Sequence, residues 1–306
     1  MNKISKEYFY VMITGIISGT IVFAGKFFID QGLSLLEITI IPLVFTALIL
    51  LPFIIFKKEY RFKKENLSIL LMFGLVGFIT ELCQFTPSVL NVPVAITVLL
   101  LYTQPLWTIL YSWLVAKEKI SRSEVIACSF VLLGVIILVN PFNIDINNWL
   151  GILIALFGGI GLSGWVVVGS LASKKGNNPM NTVFAGVLFA LILLFFTQPI
   201  LAKFVSNQSM TRLSFDLPIR IFIYLLLFSL LTKIISHYFY MRGTQKVSAT
   251  DAGIIMLLEP VSGAILAAIF FHQMITINIV FGGLLIIAAN YLVITKKFDK
   301  LIPVVV

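Results

Sequence analysis

The sequence predicts an all-α integral membrane protein with ten transmembrane helices, arranged as two inverted five-helix repeats. Three observations predict it. Of the 306 residues, 59% are apolar and only 11% are charged, whereas a soluble domain carries roughly 45–50% apolar and about 25% charged residues. Basic residues fall in short segments at intervals of two spans, and stretches of the first half recur in the second. This composition excludes a water-soluble globule. An aromatic content of 13% with so little charge also excludes a disordered chain.

A helix needs about 20 apolar residues to cross about 30 Å of hydrocarbon, so the chain has room for on the order of ten crossings. Charges and turn residues punctuate it into spans at about 8–29, 33–56, 67–90, 93–116, 121–140, 149–173, 179–202, 218–241, 248–271 and 275–295. Two uncharged stretches, 82–116 and 260–295, are too long for one span each. Leu90-Asn91-Val92-Pro93 divides the first and His272-Gln273 the second. The run from Tyr8 to Gly25 has no small-residue cleavage site and reads as a retained first helix rather than a signal peptide.

With the N-terminus cytoplasmic, the inside segments collect Lys3, Lys6, Lys57, Lys58, Arg61, Lys63, Lys64, Lys117, Lys119, Arg122, Lys174, Lys175, Arg242, Lys246, Lys296, Lys297 and Lys300. Only Lys26, Lys203, Arg212 and Arg220 fall outside, and Lys233 lies within a span. Positive-inside bias therefore places both termini in the cytoplasm of a bacterial or archaeal cell membrane. The net charge of +9 is an orientation signal, with anionic lipids as secondary partners, and nucleic acid is not a partner because no basic surface forms. Cys83 and Cys128 lie in apolar runs without metal-type spacing, so neither a disulfide framework nor a zinc site is indicated, and no cofactor is expected.

Self-similarity sets the organisation. Ala47-Leu48-Ile49-Leu50-Leu51-Pro52-Phe53 recurs as Ala190-Leu191-Ile192-Leu193-Leu194-Phe195-Phe196. A second register, offset by 155, pairs Val92 with Val247, Gln104 with Glu259, and Pro105 with Pro260. Five spans per half force opposite orientations, giving repeats at 8–140 and 149–296 with a site expected near the midplane between them. Pro105 and Pro260 fall mid-span, where a proline removes a backbone hydrogen bond and crowds the preceding turn; both are candidate hinges.

Pro105, the run Ala116-Lys117-Glu118-Lys119-Ile120-Ser121 and Leu258-Glu259-Pro260, in this five-plus-five layout, resemble the EamA-type family of the drug/metabolite transporter superfamily over residues 8 to 296. The chain departs from the pattern in two places. His272-Gln273 stands where a Glu often follows the ninth span, and Gly19-Thr20 with Phe23 stand in place of a Trp-Gly pair in the first. The resemblance implies a central cavity lined by spans 1, 3, 4, 6, 8 and 9, with spans 5 and 10 peripheral, and it favours export of the solute.

An ionisable side chain at membrane depth is costly, by about 2.5–3.5 kcal/mol on insertion scales, and therefore faces a cavity or a partner. Glu81, Lys233 and Glu259 are such residues. In the 155 register Glu81 matches Ser236 while Lys233 matches Phe78, so acid and base lie on one face of equivalent helices. They are expected to pair, or to grip the two ends of a zwitterion; a purely structural ion pair is the alternative. Glu259 is a candidate proton carrier, or a carboxyl bonded to backbone freed by Pro260. Its repeat mate Gln104 cannot titrate, so coupling through this pair would be one-sided. His237 is a second proton site or a packing histidine. Trp107 and Trp165 lie too deep for the interfacial aromatic belt and, with Tyr102, are candidate cavity walls. Glu37 is expected at the interface, reaching water, and Glu118 as a loop clamp. Gly15, Gly19 and the glycines at 158, 159, 161, 164 and 169 are expected at close helix contacts, with sliding during transport as the alternative.

These readings predict a secondary active transporter moving a small polar metabolite, amino-acid-like or a related solute including drugs, by alternating access with proton coupling. Its partners are the substrate and membrane lipids, with a homodimer left open. No phosphate-binding loop supports ATP drive. A membrane-embedded lipid or prenyl transferase would want clustered carboxylates for magnesium, yet Asp30, Asp145, Asp216, Asp251 and Asp299 are isolated, so an enzyme is not expected. A channel would want rings of charge or filter backbone, which the sequence lacks.

Overall fold

In the computed structural model, which describes residues 5–57, 64–92, 94–140, 148–176, 178–204, 208–271 and 274–295, helices account for most of the described residues and no strand occurs among them. The elements are α1 (Lys6–Asp30), α2 (Leu35–Phe56), α3 (Leu67–Val89), α4 (Val94–Leu101), α5 (Gln104–Leu114), α6 (Arg122–Val139), α7 (Trp149–Lys174), α8 (Pro179–Phe204) and a short α9 (Gln208–Thr211). After them come α10 (Ile219–Phe228), a wide π-helical turn (Ser229–Ser236), α11 (His237–Gly243), α12 (Ala249–Ile255), α13 (Leu258–Phe271) and α14 (Ile277–Thr295). His272-Gln273, Pro93 and the basic residues at 58–63 and 296–300 lie outside the described residues.

Local sequence explains the ends. Ser34 with Glu37 and Ser121 with Glu124 close reciprocal capping boxes at the starts of α2 and α6. Asn140 turns left-handed, with φ of 47°, and stops α6. Nine helical stretches among the described residues are long and apolar enough to cross a membrane. Large apolar side chains such as Leu48, Phe53, Phe157, Phe196 and Ile287 point outward, while Glu81, Lys233, Glu259 and Asp251 are buried. Apolar outside and polar inside is the arrangement a lipid solvent demands, and the chain is an integral, multi-pass membrane protein.

The expected spans at 93–116 and 248–271 are not continuous helices. The first breaks between α4 and α5 at Tyr102-Thr103, and the second between α12 and α13 at Met256-Leu257. Pro105 and Pro260 therefore do not kink running helices; each stands in the first turn of the helix that restarts after a break. A proline is tolerated there because a first-turn amide needs no intrahelical acceptor. Three-residue turn bonds close the gaps: Thr103 N to Leu100 O at 3.2 Å and Leu106 N to Thr103 O at 3.0 Å, with Leu257 N to Ile254 O at 3.1 Å and Glu259 N to Met256 O at 2.9 Å in the second.

Glycines set the close contacts. α1 packs on the second break through Gly15, whose Cβ position lies 2.9 Å from Ile255 O, and on α13 through Gly19. α6 packs on α14 where Gly134 meets Gly282. A Cβ at Gly19 would come within 2.6 Å of Gly263 N and 2.8 Å of Glu259 O. Overpacking of this kind costs about 1–3 kcal/mol, so Gly19→Leu should lower the thermal unfolding midpoint in detergent. An unchanged midpoint would contradict the contact.

Candidate functional site

Glu81 on α3, Lys233 on the π-helical turn, His237 on α11, Glu259 on α13 and Trp165 on α7 line one cleft at the centre of the bundle. The cleft holds about 50 Å³, room for a few waters rather than for a solute. A neighbouring cavity of about 20 Å³ shares Gly77, Glu81, Trp165 and His237 and extends it towards α8.

The π turn aims Lys233 inward. Ser229 to Ser236 wind more widely than an α-helix, and their buried face carries Ser229, Thr232, Lys233 and Ser236. Each is tied to a neighbour. Ser229 Oγ bonds Thr46 Oγ1 at 2.8 Å, Ser236 Oγ meets Ser18 Oγ at 3.2 Å, and Thr14 donates to Ser236 O at 3.1 Å. Lys233 Nζ donates to Glu81 Oε1 in a buried ion pair, and it also approaches the Phe228 ring, 6.0 Å from the centroid. A buried pair needs its remaining valences filled to be worth its desolvation. Here Glu81 Oε2 has no hydrogen-bond partner among the described residues.

Glu259 is 4% exposed and faces both Lys233 and the buried Tyr102 phenol. That phenol stops short of a complete hydrogen bond. Trp165 is held by Phe73, Tyr240 and His237, with ring centroids 5.6, 4.7 and 4.8 Å away. His237 Nδ1 lies 2.7 Å from Thr232 O. A carbonyl only accepts, so Nδ1 carries a proton and donates it to Thr232 O.

Not every candidate from the sequence joins the cleft. Trp107 does not line it; the indole donates to Thr103 Oγ1 at 3.3 Å beside the first break. Gln104 does not line it either. Its amide donates to Thr108, which donates to Ser163 Oγ at 3.1 Å, so Gln104 fastens α5 to α7 and fills the space left by Gly253 of α12. The two positions paired by the 155-residue register thus have different surroundings: Gln104 packs, whereas Glu259 faces the cleft. Depth locates a residue along the membrane normal without saying which way its helix face turns. Sequence reasoning missed Ser18, Thr80, Gln84 and Ser236 in the lining. Their signal was faint, since hydroxyls in apolar spans commonly bond their own helix, as Thr80 does to Val76 O at 2.8 Å.

The two ends of the bundle differ. At the end bearing the start of α1, Tyr8 Oη donates to Asp251 Oδ2 at 2.7 Å and Lys246 pairs with Glu7 at 3.0 Å. Glu118 accepts from Lys174 at 2.9 Å and from Ala249 N at 3.2 Å, clamping the start of α12. At the opposite end Gln84 is shared between the cleft and a further cavity of about 30 Å³, which reaches the exposed Lys26 past Ser88 and Thr97. Glu37 lies at this end but does not reach water. It is fully buried, accepting from Arg212 Nε at 3.0 Å, Arg212 Nη2 at 2.9 Å, Ser34 N at 2.8 Å and Ser214 N at 3.1 Å. A further cavity, about 560 Å³ between α1, α10 and α13, is walled by Phe23, Phe27, Phe28, Phe228 and Phe270 and offers almost no polar atom.

Among the described residues no cluster of three metal-ligating side chains occurs. Two proteins of similar sequence cover most of the chain. An uncharacterized transporter of Clostridium kluyveri is 24% identical over 93% of this chain and 92% of its own length. Human solute carrier family 35 member G1 is 24% identical over 87% of this chain and 73% of its own. A protein crystal structure of 13% identity shares the fold with a TM-score of 0.71, covering 95% of this chain and 99% of that one. The EamA-like transporter family matches residues 5–140 and 149–295. With most of its length matched in these two segments, the chain belongs to the EamA-like transporter family of the drug/metabolite transporter superfamily.

Proposed function

We propose that the protein is a secondary active transporter that moves a small polar metabolite by alternating access, exchanging it for protons and exporting it from the cell. The observation that carries this reading is the cleft itself. A Lys233–Glu81 ion pair and Glu259 meet where α3 of one half faces the π turn, α11 and α13 of the other, beside two broken helices. Broken helices at mid-depth are how transporters place polar backbone and charge without exposing them to lipid.

In this reading α4 and α5 together make a tenth crossing, the two halves are inverted five-helix repeats, and the positive-inside bias of the sequence puts both termini in the cytoplasm. The equivalent breaks at Tyr102-Thr103 and Met256-Leu257, each followed by Pro105 or Pro260, support this arrangement. On that orientation Tyr8–Asp251 and Glu7–Lys246 close the cytoplasmic end, while Gln84 leads towards the outside. The two breaks serve as hinges. Opening the cytoplasmic end then requires α1 to leave α12.

Counterflow in proteoliposomes tests the function. Vesicles preloaded with an unlabelled mixture of small metabolites should accumulate a labelled member of that mixture transiently and saturably, and the solute should be recovered chemically unchanged. Uptake no faster than in protein-free vesicles for every member would overturn the reading.

A further inference from the structure

In the proposed transport site one buried carboxylate oxygen has no hydrogen-bond partner, and two glutamates face one ammonium. Lys233, its one ammonium, is committed to Glu81 Oε1. Glu81 Oε2 remains unpartnered although the residue is 8% exposed. Glu259, 4% exposed, faces the same cleft, and His237 gives its Nδ1 proton to Thr232 O rather than to either carboxylate. Two carboxylates against one ammonium leave one unit of negative charge in a water-poor interior, and such a charge must be matched by a proton or by a cationic guest.

We propose that the transported solute is a small organic monocation, a protonated amine, whose ammonium takes the place of one proton between Glu259 and Glu81 Oε2. This rests on the transport reading above and narrows its substrate class. An ammonium brings up to three donors, enough to reach both the unpartnered Glu81 Oε2 and the Glu259 carboxyl. A zwitterion gripped between Glu81 and Lys233 does not fit, because those side chains already neutralise each other and a guest carboxylate would meet two carboxylates. Charge balances one for one: an amine cation enters as a proton leaves, and the reverse on the opposite side.

The groups facing Glu259 define its pH response. They are Glu81 from α3, Tyr102 from the first break, Lys233 from the π turn and His237 from α11. α1 meets this part of α13 through Gly15, Ser18 and Gly19, and α14 meets it where Gly283 contacts Val261, so neither adds a charge there.

A matched trio of probes tests the proposal: 2-phenylethylamine (cation), phenylalanine (zwitterion) and 3-phenylpropionate (anion). Binding to the purified protein is measured by thermal shift and tryptophan fluorescence from pH 6 to 9. The amine should bind, with affinity rising by up to about tenfold per pH unit while proton and amine compete. It should bind Glu259→Gln about ten- to hundredfold more weakly, the loss expected for a charge-assisted hydrogen bond. The anion should not bind. Tighter binding of the zwitterion or anion, no binding of the amine, or unchanged amine affinity in Glu259→Gln would each overturn the substrate class. Saturable counterflow of an anionic or zwitterionic metabolite without pH dependence would overturn it while sparing transport. Absence of counterflow for every solute would overturn transport itself.

Discussion

Glu259→Gln is expected to leave a folded protein whose flux no longer responds to pH. Glutamine keeps the size and the hydrogen-bonding ends of the side chain, so its contact with Tyr102 and its place on α13 survive. It loses the charge and the exchangeable proton. In the wild type, protons and substrate compete for the carboxylate, so acid on the side facing the cleft suppresses substrate loading, and a pH gradient drives exchange by up to about tenfold per unit. Proteoliposome flux measured across a series of imposed gradients should show that dependence for the wild type and a flat response for Glu259→Gln. His237→Gln should keep the dependence, since Glu259 rather than His237 carries the proton in this scheme. A gradient response retained in Glu259→Gln would remove Glu259 as the proton carrier.

Breaking the ion pair should have the largest effect on stability. Lys233→Ala leaves the Glu81 carboxylate buried without its ammonium, and loss of one partner of a buried pair costs about 3–5 kcal/mol. The variant should unfold at a lower temperature or fail to elute as a single species in detergent. Glu81→Gln/Lys233→Met removes both charges at similar volume, which for buried pairs is close to neutral, so the double variant should recover the wild-type midpoint. Flux separates the roles. A double variant that folds but does not transport places the pair in the transport cycle, whereas full flux would reduce it to a device for packing α3 against the π turn.

Much of this arrangement was legible in the sequence because charge is scarce. With 11% charged residues, a carboxylate or ammonium inside an apolar run needs a reason, and Glu81, Lys233 and Glu259 were found that way. Their meeting in one cleft follows from the same cost of burial. Pro105 and Pro260 marked where backbone bonds are missing, but they do not show whether the chain bends or breaks; the three-residue turns that close both breaks use residues of ordinary type. The π turn left no mark at all. Ser229 to Ser236 contains neither Gly nor Pro, and its widening is maintained by bonds to Thr46, Ser18 and Thr14 on helices far away in sequence. Glu37 was misplaced for a related reason. Its partner Arg212 is 175 residues away, and without that partner a glutamate in the first turn of a helix reads as reaching water. Trp107 is the opposite case: its depth in a span is legible in the sequence, but the direction in which its indole points, towards Thr103, is not.

Alternating access requires the cleft to open to each side in turn, and Ser236 reports on that opening. Ser236 lines the cleft, is 1% exposed and differs from cysteine by one atom. In a background with Cys83 and Cys128 replaced by alanine, Ser236→Cys in oriented vesicles would be treated with a membrane-impermeant thiol reagent, applied to one face at a time under opposite pH gradients. Labelling is expected from either face, with the reactive face changing as the gradient is reversed. Labelling from neither face, or from the same face under both gradients, would contradict it.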